Sequence, residues 1–505
     1  MNLRLSSQFD RLIFIVITLL VLIMAARMPL DTDLWWHLRA GEWTVQHATP
    51  IINDYFSNSV PGISWTNHSW LSEVIFYLVY KGAGFGGITA LTSALAAGSM
   101  VLVYKQMEGQ ALLKAFLVVL ASAVAAFVWV PRPELFSLVL LGWLGYVLYE
   151  FKWNHKKILW QIPLIFLLWG NLHGGYPLGL LLMIATIGGE TLNLILCFEG
   201  REIYDWREIL ELGGWGLVAI LALLVNPNGF QILAVPFQTV SLPVLQRLIQ
   251  EWASPDFHDI SQQVFLLALF IGIFSIGISG RRLDATDAAI LIGFGYMAFL
   301  ARRNFGPFAV AAIPVISRHL QPALDEWLAR LRKQPNFTYY WARQTNKEAD
   351  AVEAAFPARL RTVINVGLIA VLGLAFVIKL FWVSDNDLIQ KTIADGNPVA
   401  AINWLTANRP SGKLLNEYNS GGYLVWTLRD YPVFVDGRTD MYGDKLIQDW
   451  IALVEADKGW ESLMKKYEIG IVMVDPGRPL VNALETNGWK KVFEDSRAVI
   501  LLPGK

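Results

Sequence analysis

Long apolar runs separated by short polar turns organise this chain. Roughly eleven stretches reach or approach the 17–25 apolar residues that a membrane-spanning helix needs. They lie near 12–29, 86–104, 113–130, 135–151, 157–171, 177–197, 208–225, 261–279, 284–300, 304–318 and 362–383. Residues 69–82 are helical in pattern but short, and they carry Glu73 and Lys81, so they read as a helix lying in the membrane interface. Charge decides that reading. With 69–82 not spanning, the basic loops Lys105–Lys114, Lys152–Lys157, Arg201–Arg207, Arg281–Arg282 and Arg318–Arg361 all share one side, which the positive-inside bias makes cytoplasmic. Arg4 and Arg11 before the first run predict an uncleaved first span with a cytoplasmic N-terminus.

The pattern changes after the last span. From 384 to 505, helix-like (Val399 to Leu405, Leu446 to Val454) and strand-like (Val433 to Val435, Ile469 to Val474, Ala498 to Leu502) runs alternate. The expected fold class is therefore a polytopic α-helical membrane protein with a C-terminal soluble α/β domain. Its transmembrane part covers 1–383, with an outer loop 30–85 holding interfacial helices and a polar cytoplasmic insert 319–361. The insert carries Arg330, Arg332, Lys333, Arg343 and Lys347 and is expected to lie near anionic headgroups. The second domain is 384–505 and is expected outside the cytoplasm.

Composition agrees with a membrane location. The chain of 505 residues is 54% hydrophobic and only 16% charged, well below the quarter usual in soluble domains. A net charge of −1 gives no basic face for nucleic acid. A single cysteine, Cys197, excludes an internal disulfide framework and any cysteine metal site.

The same topology places nearly every unusual polar residue on the outer side. Directly after the first span comes Asp31-Thr32-Asp33-Leu34-Trp35-Trp36-His37. Asp31 or Thr32 is expected to cap a helix, with Asp33 in its first turn and His37 four residues on, on the same face. A carboxylate and an imidazole so placed can accept a proton from an attacking hydroxyl. The alternative is a capped interfacial helix. Asn67-His68, between Trp65 and Trp70, closes the loop with groups that suit a sugar hydroxyl or a phosphate oxygen. Arg132 and Glu134, His173 and Glu251 occupy other outer turns, where Gly and Pro serve as punctuation. Arg302 and Arg303 stand on the side that the charge bias disfavours, and binding a lipid-carrier phosphate would account for them. In the C-terminal domain, Gly421-Gly422 reads as a loop-to-helix joint and Asp436-Gly437-Arg438 as a turn, with acceptor recognition as the functional alternative.

With the acidic pair after the first span, the interface-lying helices and the C-terminal domain, the chain resembles the GT-C superfamily of membrane glycosyltransferases, which includes protein mannosyltransferases and aminoarabinose transferases. The likeness is architectural along the whole chain and reaches individual residues only within 31–68. Asp31 and Asp33 take the position of the superfamily's catalytic acid. Asn67-His68 falls where many members have His-Pro-Pro, and this chain has no such prolines. The chain also resembles bacterial membrane proteins with D-x-D-x-W-W-H near the start and G-G-Y…D-G-R near the end.

The resemblance implies transfer of a sugar from a polyprenyl-phosphate carrier to a lipid, glycan or protein acceptor, in the inner membrane. It implies Asp31, Asp33 and His37 as catalytic groups. Asn67, His68, Arg132, Glu134, His173, Glu251, Arg302 and Arg303 would contact substrate. It leaves a divalent cation, Mg²⁺ or Mn²⁺, open, with Asp31 and Asp33 as its ligands if one binds. A transporter would need ionisable residues deep in spans and related halves. A scaffold protein would need the outer polar groups dispersed.

Overall fold

The computed structural model describes residues 7–197, 203–240, 249–332 and 357–504. Arg201, Lys333, Arg343 and Lys347 of the expected basic loops lie outside the described residues.

A helix covers every expected span. The first eight helices are α1 (Ser7–Ala25), α2 (Leu34–His47), α3 (Trp70–Gln106), α4 (Ala111–Ala125), α5 (Glu134–Asn154), α6 (Gln161–Leu172), α7 (Pro177–Ile195) and α8 (Trp206–Leu223). Then follow α9 (Ile260–Ile278), α10 (Ala285–Leu300), α11 (Phe305–Arg332) and α12 (Ala358–Val383). Among the described residues, seven helices are long and apolar enough to cross a bilayer, while α6 and α10 are apolar but shorter. Large apolar side chains stay exposed along these helices, among them Leu217, Phe270, Phe274, Val363, Val366 and Phe381. A soluble protein would bury them, whereas lipid tails accept them.

Residues 69–82 differ from the expectation in one respect. They do not form a separate helix but run straight into the next, as the first part of α3. The single break is at Gly84 (φ 57°, ψ −152°), a conformation that only glycine adopts without strain. Glu73, one of the two charges that made 69–82 read as an interfacial helix, is fully buried where α2 packs along α3.

The C-terminal domain begins with α13 (Asn386–Gly396) and α14 (Val399–Asn408). Four strands, β1 (Lys413–Asn416), β2 (Ile469–Val474), β3 (Lys490–Glu494) and β4 (Val499–Leu502), form a sheet in the order β1-β2-β4-β3. β1 runs parallel to β2 and the other pairs are antiparallel. The remaining helices here are α15 (Tyr418–Thr427), α16 (Thr439–Val454), α17 (Trp460–Lys466) and α18 (Pro479–Thr486).

Two local expectations need correction. Val433-Phe434-Val435 is buried but forms no strand, because its partner is a single bridge from Ser57 in the outer loop. Gly421 and Gly422 sit inside α15 and do not open a helix. A Cβ on Gly421 would lie 2.1 Å from the Val435 carbonyl oxygen, and one on Gly422 would lie 2.4 Å from that of Thr32. Close backbone approach, not turn geometry, requires these glycines.

The outer loop and the C-terminal domain share one apolar core. Trp36, Ala40, Ile51, Phe56 and Trp65 pack with Leu414, Val433, Phe434 and Ile447. At the centre of that contact Arg438, fully buried, reaches Asp54 Oδ1 at 2.7 Å and Asp436 Oδ2 at 2.6 Å. The guanidinium also lies 5.1 Å from the Phe56 ring and 5.2 Å from the Trp65 ring, so cation–π attraction adds to the pairing.

Candidate active site

α1 ends at Ala25, and the chain then turns through Asp31, whose Oδ1 accepts the Asp33 amide at 2.9 Å. This side-chain turn leaves Asp33 at the N-cap of α2. The order is therefore not the expected one: Asp33 holds the cap position, with no side-chain capping bond, and Asp31 and Thr32 stand before it. Both carboxylates turn instead toward Arg132, which lies between α4 and α5. Pro131 and Pro133 flank it and restrict the backbone on both sides.

Arg132 Nε and Nη2 donate to the two oxygens of Asp31 at 2.7 and 3.0 Å. Its Nη1 lies 3.0 Å from Asp33 Oδ2 and 3.0 Å from Glu251 Oε2. Glu251 belongs to a short helical turn, Gln250–Trp252, which Arg302 holds by donating from Nε to the Gln250 carbonyl at 2.6 Å and from its amide to Ala253 O at 3.2 Å. Arg303 points the other way. It lies 3.6 Å from Glu251 Oε1 and 3.8 Å from Glu134 Oε1, and it stacks 4.3 Å over Trp252. Those separations exceed ordinary hydrogen-bond lengths, so Arg303 is attracted to the carboxylates without being locked to them. The adjacent arginines thus differ in role: Arg302 builds the loop and Arg303 faces the cluster.

Burial, more than anything else, raises the Asp33 carboxyl to about 7. Arg132 opposes that rise, and Asp31 and Glu251 add to it. The C-terminal domain closes over the same residue. A Cβ on Gly437 would lie 2.0 Å from Asp33 Oδ1, so the Asp436-Gly437-Arg438 segment forms a wall of the site.

A second polar group adjoins the first. His37 Nδ1 lies 3.2 Å from Glu73 Oε1, and Asn67 Nδ2 donates to Glu73 Oε2 at 2.7 Å. His173 Nδ1 lies 2.7 Å from the Ser137 hydroxyl, and its ring is 5.9 Å from that of His68. Burial holds His37 and His173 well below the usual imidazole range. His37 is lowered further by Arg132, His68 and His173, and His173 by His68 and Arg303. Both are neutral at neutral pH, so the cationic part of the site falls to the arginines. His37 is not paired with Asp33 as the helix-face argument expected, because Glu73 draws it to α3.

The structure thus brings Asp31, Asp33, Arg132, Glu134, Glu251 and Arg303 into one cluster. It places His37, Asn67, His68 and His173 beside that cluster and puts Arg302 in support. Sequence reasoning missed Glu73 as the residue that orders His37 and Asn67. A lone acid inside SWLSEVIFYLVY was the available signal. It also missed Gly437 as a wall of the site. A further charged set, Lys152 with Glu190 and Arg318 with Asp287, lies at the other end of the bundle around a cavity of about 60 Å³. Lys152 and Asp287 sit near helix ends, whereas Glu190 lies inside α7 and Arg318 at the middle of α11, so these buried charges do not count against the transporter alternative.

Asp31 and Asp33, the only ligands expected for Mg²⁺ or Mn²⁺, both face Arg132. Among the described residues no three His, Cys, Asp or Glu side chains are placed to hold a metal. The residues present do not fit a divalent ion.

No protein-family profile and no curated protein sequence matches the chain. Solved structures do. The oligosaccharyltransferase AglB of Archaeoglobus fulgidus, in complex with an inhibitory peptide and a dolichol-phosphate, is similar with TM-score 0.54 at 12% identity, over 92% of this chain and 69% of that one. The apo form of the oligosaccharyltransferase from that organism gives 0.52 at 13% identity, over 93% and 70%. The chain has a GT-C fold. ArnT from Cupriavidus metallidurans, bound to undecaprenyl phosphate, is similar at TM-score 0.46 and 13% identity over 98% of each chain. A fold by itself does not give a function, so the chemistry of this site is read from its own side chains.

Proposed function

We propose that this protein is a GT-C glycosyltransferase that moves a sugar from a polyprenyl-phosphate carrier to an acceptor outside the cytoplasm. One observation carries the reading. Four carboxylates and two guanidiniums from distant loops converge at one end of a GT-C helix bundle, with a carboxyl tuned near neutrality among them. The similar oligosaccharyltransferase structure in complex with a dolichol-phosphate supports a lipid-phosphate donor. In this reaction the acceptor hydroxyl attacks the anomeric carbon and Asp33 takes the hydroxyl proton. The bond from that carbon to the phosphate oxygen breaks, and the electron pair leaves with the carrier phosphate. Arg303 meets the charge that develops there, since its donors are not committed to neighbouring carboxylates.

The test is donor binding. Replacing Arg303 by Ala weakens affinity for a polyprenyl-phosphate sugar in nanodiscs by about 1.5–3 kcal/mol, the worth of a charged hydrogen bond. Arg303→Lys weakens it less, because Lys keeps the charge and lacks the planar fork. Unchanged affinity in Arg303→Ala, with normal expression, refutes the lipid-phosphate reading of this residue.

Sidedness belongs to the same proposal. Single cysteines placed in 30–68 or in 384–505 are expected to react with an impermeant thiol reagent only from outside, and a cysteine at Tyr340 only from the cytoplasm. Reaction of position 340 from outside would invert the arrangement and remove the extracytoplasmic acceptor.

A further inference from the structure

We infer that Arg132 is the built-in cation of this site, filling the seat between Asp31, Asp33 and Glu251 that a divalent metal would otherwise take. The inference rests on reading this cluster as the catalytic centre, and it goes beyond that reading by naming what balances the acids. Arg132 grips both oxygens of Asp31 at 2.7 and 3.0 Å. Its third nitrogen lies 3.0 Å from an oxygen of Asp33 and 3.0 Å from one of Glu251. These contacts span 101 and 119 residues of sequence for Asp31 and Glu251, so one side chain knits three loops together.

A Mg²⁺ or Mn²⁺ ion needs several oxygens in close coordination, at about 2.0–2.1 Å for Mg²⁺. At Asp31 each oxygen already points at a guanidinium N–H. An ion bound there would lie against a group that does not lose its proton, so the two cations exclude each other. The geometry also predicts the converse. Removing the guanidinium leaves three carboxylates around one vacancy. The four oxygens face three different nitrogens of one guanidinium, so an ion at its centre requires the three side chains to draw in toward a shared point.

Purified protein in detergent is titrated with Mn²⁺ and followed by the loss of the free-ion electron paramagnetic resonance signal. A thermal melt is run in parallel with and without Mn²⁺. The wild type is expected to show no saturable site and no shift in melting temperature. Arg132→Ala and the bulkier Arg132→Gln are expected to gain about one Mn²⁺ per chain and to melt higher in its presence. Adding Asp33→Asn to either variant should remove that gain. A variant that becomes monodisperse only with Mn²⁺ also supports the assignment. Saturable Mn²⁺ binding to the wild type that Asp33→Asn abolishes overturns it. So do variants that take up no Mn²⁺, whether folded or still aggregated with the ion supplied. None of these readouts uses turnover, so their failure is distinct from failure of the glycosyl-transfer reading.

Discussion

Asp33→Asn is expected to lower glycosyl transfer by about 10²–10⁴-fold, the usual contribution of a positioned general base, while the protein stays monodisperse in detergent. The fold should survive because Arg132 keeps both bonds to Asp31 and its contact with Glu251. Asn also preserves the size of the side chain against Gly437. The pH profile sharpens the prediction. With the Asp33 carboxyl raised to about 7, mainly by burial, the basic form that takes a proton grows as pH rises. Transfer by the wild type should therefore climb through pH 7 and level off above it. In Asp33→Asn the residual rate should lose that inflection. A wild-type rate that is flat between about pH 5 and about pH 9 would remove Asp33 from the role of base. Asp31→Asn acts differently: it breaks the two-bond grip on Arg132, so its effect should include loss of site geometry.

The largest effect on stability is expected at Arg438. This guanidinium sits between Asp54 of the outer loop and Asp436 of the C-terminal domain, and none of the three side chains is exposed. Tyr442 also donates to Asp436 Oδ2 at 3.0 Å. Arg438→Met keeps much of the volume but leaves two carboxylates buried without their cation. Breaking a buried pair from one side costs about 3–5 kcal/mol. The expected result is a lower melting temperature and faster proteolysis between the last span and α14, as the domain separates from the outer loop. Because Gly437 packs on Asp33, transfer should fall as well. Arg438→Lys should recover only part of the loss, since one ammonium lacks the fork that reaches both acids. A melting temperature equal to wild type in Arg438→Met would show that the contact is not what holds the two parts together.

The expected spans and the observed helices agree because apolarity accumulates along a continuous stretch. A run such as Leu12 to Ala26 needs no distant partner to be read as a helix in lipid. The clustering of the polar turns at one end of the helices was legible for a similar reason. Lys and Arg counts in successive loops assign sides, and once sides are assigned, 31–37, 132–134, 251 and 303 must share one end of the bundle. β2 and β4 were visible as short apolar runs, whereas β1 (Lys413–Asn416) and β3 (Lys490–Glu494) were not. β3 is largely exposed and β1 is a short strand opening with an exposed lysine.

The sequence by itself determined which stretches form the apolar helices, which turns lie at one end of them and which acidic pair follows the first helix, since each depends on local composition or on its sum along the chain. Only the tertiary structure decided the partners. Arg132 takes Asp31 and Asp33, Glu73 takes His37, and Arg303 rather than Arg302 faces the cluster. It also decided that Gly422 and Gly437 are required by contact with Thr32 and Asp33, and that Val433–Val435 is core without being a strand. The physical reason is range. Burial in lipid is set by a residue and its near neighbours, whereas a charged hydrogen bond or a backbone contact is set by a group 36 to 384 residues away in the pairs at this site and its wall, whose position exists only once the helices have packed.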